Sequence, residues 1–266
     1  MKLFYTALSA GLLAATSVHA AGISLQPHRA IYDLTLKRTA SSSGIEQLEG
    51  RLVVEFQPDC EGYGFSQRIV MRMMDADGRA AVNDFRAATW ENAAGTKFRF
   101  NVRTMVDGTV VEENSGRAQL QSPGGTGSVD FNDSKTTGIT LPAGTVFPVA
   151  HTIAILKAAS AGGSELEIKL FDGSGEDGRF DTFSWIGPRD GDKAPAGDNF
   201  EIVAGIASWP VRMAYFPFGD QVGIPDFEIG FRLFANGVYG DIVLDYGDFA
   251  LDGTLSRLDP LPRPSC

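Results

Sequence analysis

The sequence is short of cysteine, histidine and positive charge, and each shortage excludes a class of function. Two cysteines and three histidines occur in 266 residues. Beyond residue 20 the histidines are His28 and His151, and no Cys/His grouping has zinc-site spacing. Lys and Arg number 23 against 33 Asp and Glu, a net charge of −10. That balance argues against nucleic acid and against an anionic membrane face as partner. After the first 20 residues no apolar run approaches the roughly 18 residues of a transmembrane helix. There is no Gly-x-Ser-x-Gly elbow and no Ser-x-x-Lys nucleophile with its partner motifs. Gly124-Gly125-Thr126-Gly127 lacks the lysine of a phosphate loop and reads as a solvated turn. Asp172, Ser174, Glu176 and Asp177 are spaced like calcium ligands, but Asp177 stands where the loop needs glycine and Phe183 where it needs glutamate. Asp190-Gly191-Asp192 fails in the same way. No metal and no cofactor are expected.

What is present starts with a leader. Lys2 precedes an uncharged, mostly apolar run over residues 3–18, and Val18-His19-Ala20 has the residue pattern of a cleavage point. A signal peptide over 1–20, cut after Ala20, is expected, with the mature chain over 21–266 as one domain in the periplasm. No cysteine follows the apolar run, so no lipid anchor is expected. In an oxidising compartment Cys60 and Cys266 read as one disulfide, the alternative being two free thiols. The loop so closed is about 200 residues, which the chain-entropy model values at roughly 5 kcal/mol.

Alternation of period two dominates the rest. Ala30, Tyr32, Leu34 and Leu36 share one strand face; Leu52, Val54 and Phe56 share a second. Tyr63, Phe65, Ile69, Met71 and Met73 mark a third, and Phe98, Phe100 and Val102 another. Residues 109–121 are poor in apolar side chains and read as an edge or half-exposed strand, and 122–128 as a loop. Later strands are expected at 166–171, 181–186, 200–215, 227–234 and 238–251, with a solvated loop at 188–198. Asp107-Gly108 and Asn236-Gly237 are hairpin signals. Between Phe147 and Gly162 the period changes to 3.6, and Pro148 suits a first helical turn. The expected fold is mostly β: a curled or spiral-like antiparallel meander with one main helix over 148–161.

Several segments together resemble the EipB-like family of periplasmic cell-envelope integrity proteins of Gram-negative bacteria. They are Pro27-His28-Arg29-Ala30-Ile31-Tyr32-Asp33-Leu34; Cys60-Glu61-Gly62-Tyr63 with Gln67-Arg68; Leu141-Pro142-Ala143-Gly144-Thr145-Val146-Phe147-Pro148 with His151-Thr152; Phe171-Asp172-Gly173; Pro225-Asp226-Phe227-Glu228; and Leu244-Asp245-Tyr246-Gly247-Asp248-Phe249. The resemblance implies a β-spiral, an envelope role without an established reaction, and a disulfide between Cys60 and Cys266.

The expected function is therefore non-enzymatic maintenance of the cell envelope by a monomer that binds a protein partner or an apolar envelope component, lipid or peptide. The rival is an envelope enzyme cutting glycan or peptide with a carboxylate pair, Asp245 with Asp248 or Asp226 being examples. No catalytic residue is assigned. His28 reads as a strand residue bonded at a sheet edge, and His151 as a residue of the first helical turn. Arg29 and Arg68 lie on otherwise apolar strands and need either a carboxylate or an anionic ligand. A curled sheet leaves an inner face that one helix covers in part. Its aromatics, Phe98, Phe100, Phe227 and Phe231, line either a core or an open concavity with an arginine at the rim.

Overall fold

The computed structural model describes residues 23–133, 138–191, 200–219 and 223–266. The leader and its cleavage point lie outside the described residues, as does most of the loop expected at 188–198.

Apolar–polar alternation carries the described chain through fifteen strands of one sheet. The first eight are β1 (His28–Thr39), β2 (Ile45–Pro58), β3 (Gly62–Asp75), β4 (Ala80–Asn92), β5 (Lys97–Val106), β6 (Thr109–Leu120), β7 (Gly127–Phe131) and β8 (Ile139–Leu141). After β9 (Thr145–Val146) comes the helix α1 (Pro148–Ser160). The chain then returns through β10 (Glu165–Phe171), β11 (Arg179–Ile186), β12 (Ser208–Pro217), β13 (Phe227–Phe234), β14 (Tyr239–Asp245) and β15 (Phe249–Pro260). Every strand lies beside its neighbour in sequence except at two places. β15 pairs with β1, and β8 and β9 do not pair with each other but form the two edges of the sheet. Those edges are joined by a three-residue turn, Pro142 to Gly144, so the sheet must roll until they approach. The result is a nearly closed barrel with one seam. All pairings are antiparallel except that β9 runs parallel to β10.

The helix fills the roll. Val149, Ile155, Leu156 and Ala159 are buried in the larger core with side chains from β1, β2 and β10 to β15. His151 Nε2 lies 3.0 Å from Thr182 Oγ1, and Thr152 Oγ1 lies 2.9 Å from the Tyr239 hydroxyl. Pro148 occupies the first turn, where its missing N–H costs nothing. The helix ends at Gly162, whose φ is +80°. The Gly162 N–H bonds to Ala159 O at 3.1 Å and the Gly163 N–H to Ala158 O at 2.9 Å, the paired bonds of a glycine-terminated helix. A smaller core holds Phe98, Phe100, Leu120, Leu141, Phe147 and Phe171.

Cys60, in the turn between β2 and β3, is bonded to Cys266, with Cα atoms 5.6 Å apart. The segment after β15 crosses the ends of β1 and β2 on its way there. The Leu261 N–H donates to Pro27 O at 3.0 Å, and Gln57 Nε2 to Pro262 O at 2.9 Å.

Four expectations are corrected in detail. The strand expected over 238–251 is two strands, β14 ending at Asp245 and β15 starting at Phe249, paired antiparallel. β6 is an edge over only part of its length, because β7 pairs with Gly116 to Leu120 alone. The strand expected from 200 starts at Ser208, preceded by a 3-10 turn at Glu201–Val203 that buries Phe200 and Val203. His28 sits at the start of β1, paired on both sides, not at a sheet edge. Of the two hairpin signals, Asp107 (φ +50°) and Gly108 (φ +79°) turn with both residues left-handed. At Asn236-Gly237 only the glycine is left-handed, and Asn236 instead donates through Nδ2 to Ile202 O at 2.7 Å.

Candidate functional site

The residues marked by the sequence divide between the inside and the outside of the barrel. Phe98 and Phe100 are 1% and 4% exposed, and the ring of Phe98 lies 5.0 Å from that of Phe147. Phe231 is 5% exposed and packs in the larger core, 4.5 Å from the Tyr239 ring. Phe227 is half-buried and stacks on Tyr215 at 4.1 Å. These four rings thus meet other protein side chains, in two separate clusters. Arg29 and Arg68 point outward. Arg29 Nε is 3.4 Å from Glu55, and Arg68 Nη2 is 2.8 Å from Asp84.

The outer face of β3 to β6 places arginines opposite arginines. Arg68 faces Arg86 across β3 and β4, Arg86 faces Arg103 across β4 and β5, and Arg99 faces Arg117 across β5 and β6. Like charges directly opposite destabilise a sheet. Asp84 offsets part of this, accepting from both Arg86 and Arg68. The hydrogen bonds from Arg86 and Arg68 hold its carboxyl well below the usual carboxylate range. Arg103 pairs with Glu113, and Arg99 lies over the Trp90 ring at 4.2 Å. Of the acids considered for a catalytic pair, Asp245 is bonded to Arg38 Nη2 at 2.8 Å and accepts the Gly247 N–H at 3.0 Å. Among the described residues no three His, Cys, Asp or Glu side chains are grouped as metal ligands would be.

Glu91 was not marked by the sequence. It is 2% exposed, and it accepts the Val149 N–H at 2.7 Å and the Ala150 N–H at 2.9 Å. Burial pushes its carboxyl up to about 7, against the opposing pull of those two N–H groups. The signal was indirect: Phe147, at the N-cap, has no side chain able to cap, so an acceptor had to come from elsewhere.

The seam is the other feature invisible in the sequence. One end is closed. Gly173, in the turn between β10 and β11, packs on Phe100, and Asn114 Nδ2 of β6 donates to Ser174 O at 2.8 Å. In the middle, the Gly144 N–H donates to Gly124 O at 2.8 Å, tying the β8–β9 turn to the β6–β7 turn. Alongside β10 lies a cleft of about 770 Å³ lined by Gly124, Gly144, Val146, Glu167, Ile168 and Phe183, among others. The two glycines contribute no side chain, which leaves this wall of the cleft thin. Next to it, Trp185 is 58% exposed.

Among the described residues no helix is long and apolar enough to cross a membrane. Comparison with known proteins agrees with the architecture. A protein of Brucella abortus named cell envelope integrity protein EipB is 36% identical over 255 residues, covering 94% of this chain and 89% of that protein. The crystal structure of a β-barrel-like protein of a domain of unknown function, also from Brucella abortus, superposes with a TM-score of 0.82 at 36% identity, covering 91% of this chain and 100% of that one. The model of the EipB-like family matches residues 19–262. With that span and a rolled sheet of matching shape, this protein belongs to the EipB-like family.

Proposed function

We propose that the protein maintains the integrity of the cell envelope from the periplasm, without catalysing a reaction, by holding a protein partner on the outside of its barrel. The observation that carries this reading is helix α1. It occupies the interior of the roll, with Ile155 and Leu156 at 0% and 1% exposure, and leaves recognition to the outer surface. The name of the Brucella relative supports the envelope role. The leader pattern supports the location, and a disulfide suits an oxidising compartment. Of the residues marked in the sequence, Arg29 and Arg68 stay within a partner's reach on that surface.

Complementation tests this. A strain lacking its own copy of the gene is supplied with the wild-type gene, or with variants each carrying one outward Asp or Glu changed to its amide. Survival under detergent or cell-wall stress is the readout. Wild type and every folded amide variant should restore resistance. Loss of resistance at one or two acids, with the protein present at normal abundance, would point to catalysis instead.

A further inference from the structure

The seam has a free strand edge whose chemistry selects its occupant. Along β10 and β11, Ile186 N–H bonds Ser164 O at 2.8 Å and Asp172 N–H bonds Gly178 O at 3.0 Å. In an antiparallel ladder the residues bonded to the partner alternate. Even-numbered residues of β10 therefore bond to β11, and odd-numbered ones turn their N–H and C=O groups the other way. On that other side β9 engages Lys169 and Leu170 alone. Among the described residues nothing pairs with the backbone of Glu165 and Glu167. The cleft runs beside this edge, with Glu167 and Ile168 in its wall.

We propose that this edge of β10 takes an extended segment of a partner protein as an added strand, one that alternates Lys or Arg with apolar residues. The proposal rests on the partner-binding reading above and gives it a place. Unpaired backbone groups on an exposed edge are a template for another strand. The free stretch, residues 165–168, spans about 13 Å, enough for a four-residue rung of added strand. Its side chains set the alternation. Glu165 and Glu167 point outward, opposite Trp185 and Phe183 of β11, so residues added beside them meet acidic groups. Leu166 packs on the larger core, so residues added beside Leu166 and Ile168 face inward and should be apolar. The same acids disfavour a second copy of this chain. Within the free stretch, every antiparallel self-pairing that keeps faces matched sets Glu165 against itself, Glu165 against Glu167, or Glu167 against itself, and like charges so placed repel. The edge is thus guarded against itself and open to a basic strand.

The test uses the full mature chain and a blocked seven-residue peptide of alternating Lys and Val, with a Glu–Val peptide as control. Expected is slowed amide exchange at Glu165 and Glu167 with the Lys–Val peptide only, and a change in Trp185 fluorescence that W185F lacks. Glu167→Pro removes an outward N–H but no bond to β11, and should weaken binding about tenfold or more at unchanged melting temperature. E165K/E167K should reverse the preference to the Glu–Val peptide. No protection at Glu165 and Glu167 in wild type, or binding undiminished in folded E167P, overturns the proposal. In the complementation strain, folded E165K/E167K should fail to restore resistance. If it restores resistance fully, the edge is not the docking site, while the envelope reading stands. If wild type itself fails there, the envelope reading falls, and the exchange data alone decide the edge.

Discussion

The carboxylate of Glu91, on β4, caps α1 at Val149, whose N–H it accepts at 2.7 Å. The two residues are far apart in sequence and belong to opposite halves of the roll, one before the seam and one after it. A helix whose N-cap residue is a phenylalanine has no local acceptor for its first N–H groups. The barrel supplies one. The contact also favours a negative charge at the positive end of the helix, while burial disfavours it.

Replacing Glu91 by alanine should orphan two N–H groups at once. A lost cap plus a buried unsatisfied donor costs about 2–3 kcal/mol, or roughly 5–10 °C in melting temperature for a chain of this size. Thermal unfolding at neutral pH followed by circular dichroism measures it. A shift under 2 °C would mean that water caps the helix as well.

Glu91 should also make stability depend on pH. Its carboxyl sits at about 7 when folded, above the ordinary 4.5. The folded state therefore holds the proton more tightly. Its contribution is full below pH 4.5 and is lost as pH rises through 7, on the order of 3 kcal/mol. Urea midpoints taken from pH 4.5 to 8 should lose this downward component in E91Q.

His151 should act in the opposite sense. Burial against Thr182 lowers it from 6.5 to about 4, so the folded state resists the proton. Its contribution is present above pH 6.5 and lost as pH falls through 4, again on the order of 3 kcal/mol. Between pH 4.5 and 6.5 the two groups oppose each other, and the wild-type curve should be flatter than that of E91Q or H151Q. His28, lowered by burial, adds to the acid-side loss.

The Cys60–Cys266 bond closes a loop with a sequence separation of 206. C266S should unfold at lower temperature, with a loss of up to roughly 5 kcal/mol on the chain-entropy view. Wild type, unfolded without reductant, should show no thiol to a labelling reagent. In cells C266S should weaken envelope resistance in proportion to its lower abundance.

Gly173 closes one end of the seam. Its φ is +84°, and an added Cβ would lie 2.7 Å from Phe100 Cβ. Gly173→Ala should therefore cost more than the about 1 kcal/mol of left-handed strain alone. Hydrogen exchange should show the loss concentrated in β5, β6 and the β10–β11 turn. Uniform loss across the barrel would argue against a local seam contact.

Much of the fold was legible because its signals are local. Alternation along Ala30, Tyr32 and Leu34 needs only the two-residue period of a strand to bury them together. Pro148 and Gly162 bound α1 through their own backbone preferences, and the helix ends one residue before the expected 161. Asp107-Gly108 turns as read because both residues accept a left-handed backbone. The strand expected from 200 failed where Gly205, at φ +69°, and the 3-10 turn broke the alternation.

By itself the sequence determined that the chain is mostly strand, which of the earlier segments alternate, where the helix starts and stops, and, with two cysteines, which disulfide can form. Only the tertiary structure decided that α1 lies inside the roll with Phe231 in the larger core, and that Phe98 and Phe100 pack on Phe147 and Phe171 in the smaller one. It alone brought Glu91 to Val149, set Arg68 against Arg86, and left the β10 edge unpaired beside the seam. The reason is physical. Strand and turn preferences act over a few residues. Which edges meet depends on how fifteen strands accumulate twist and close, a property of the whole sheet that no short stretch of sequence encodes.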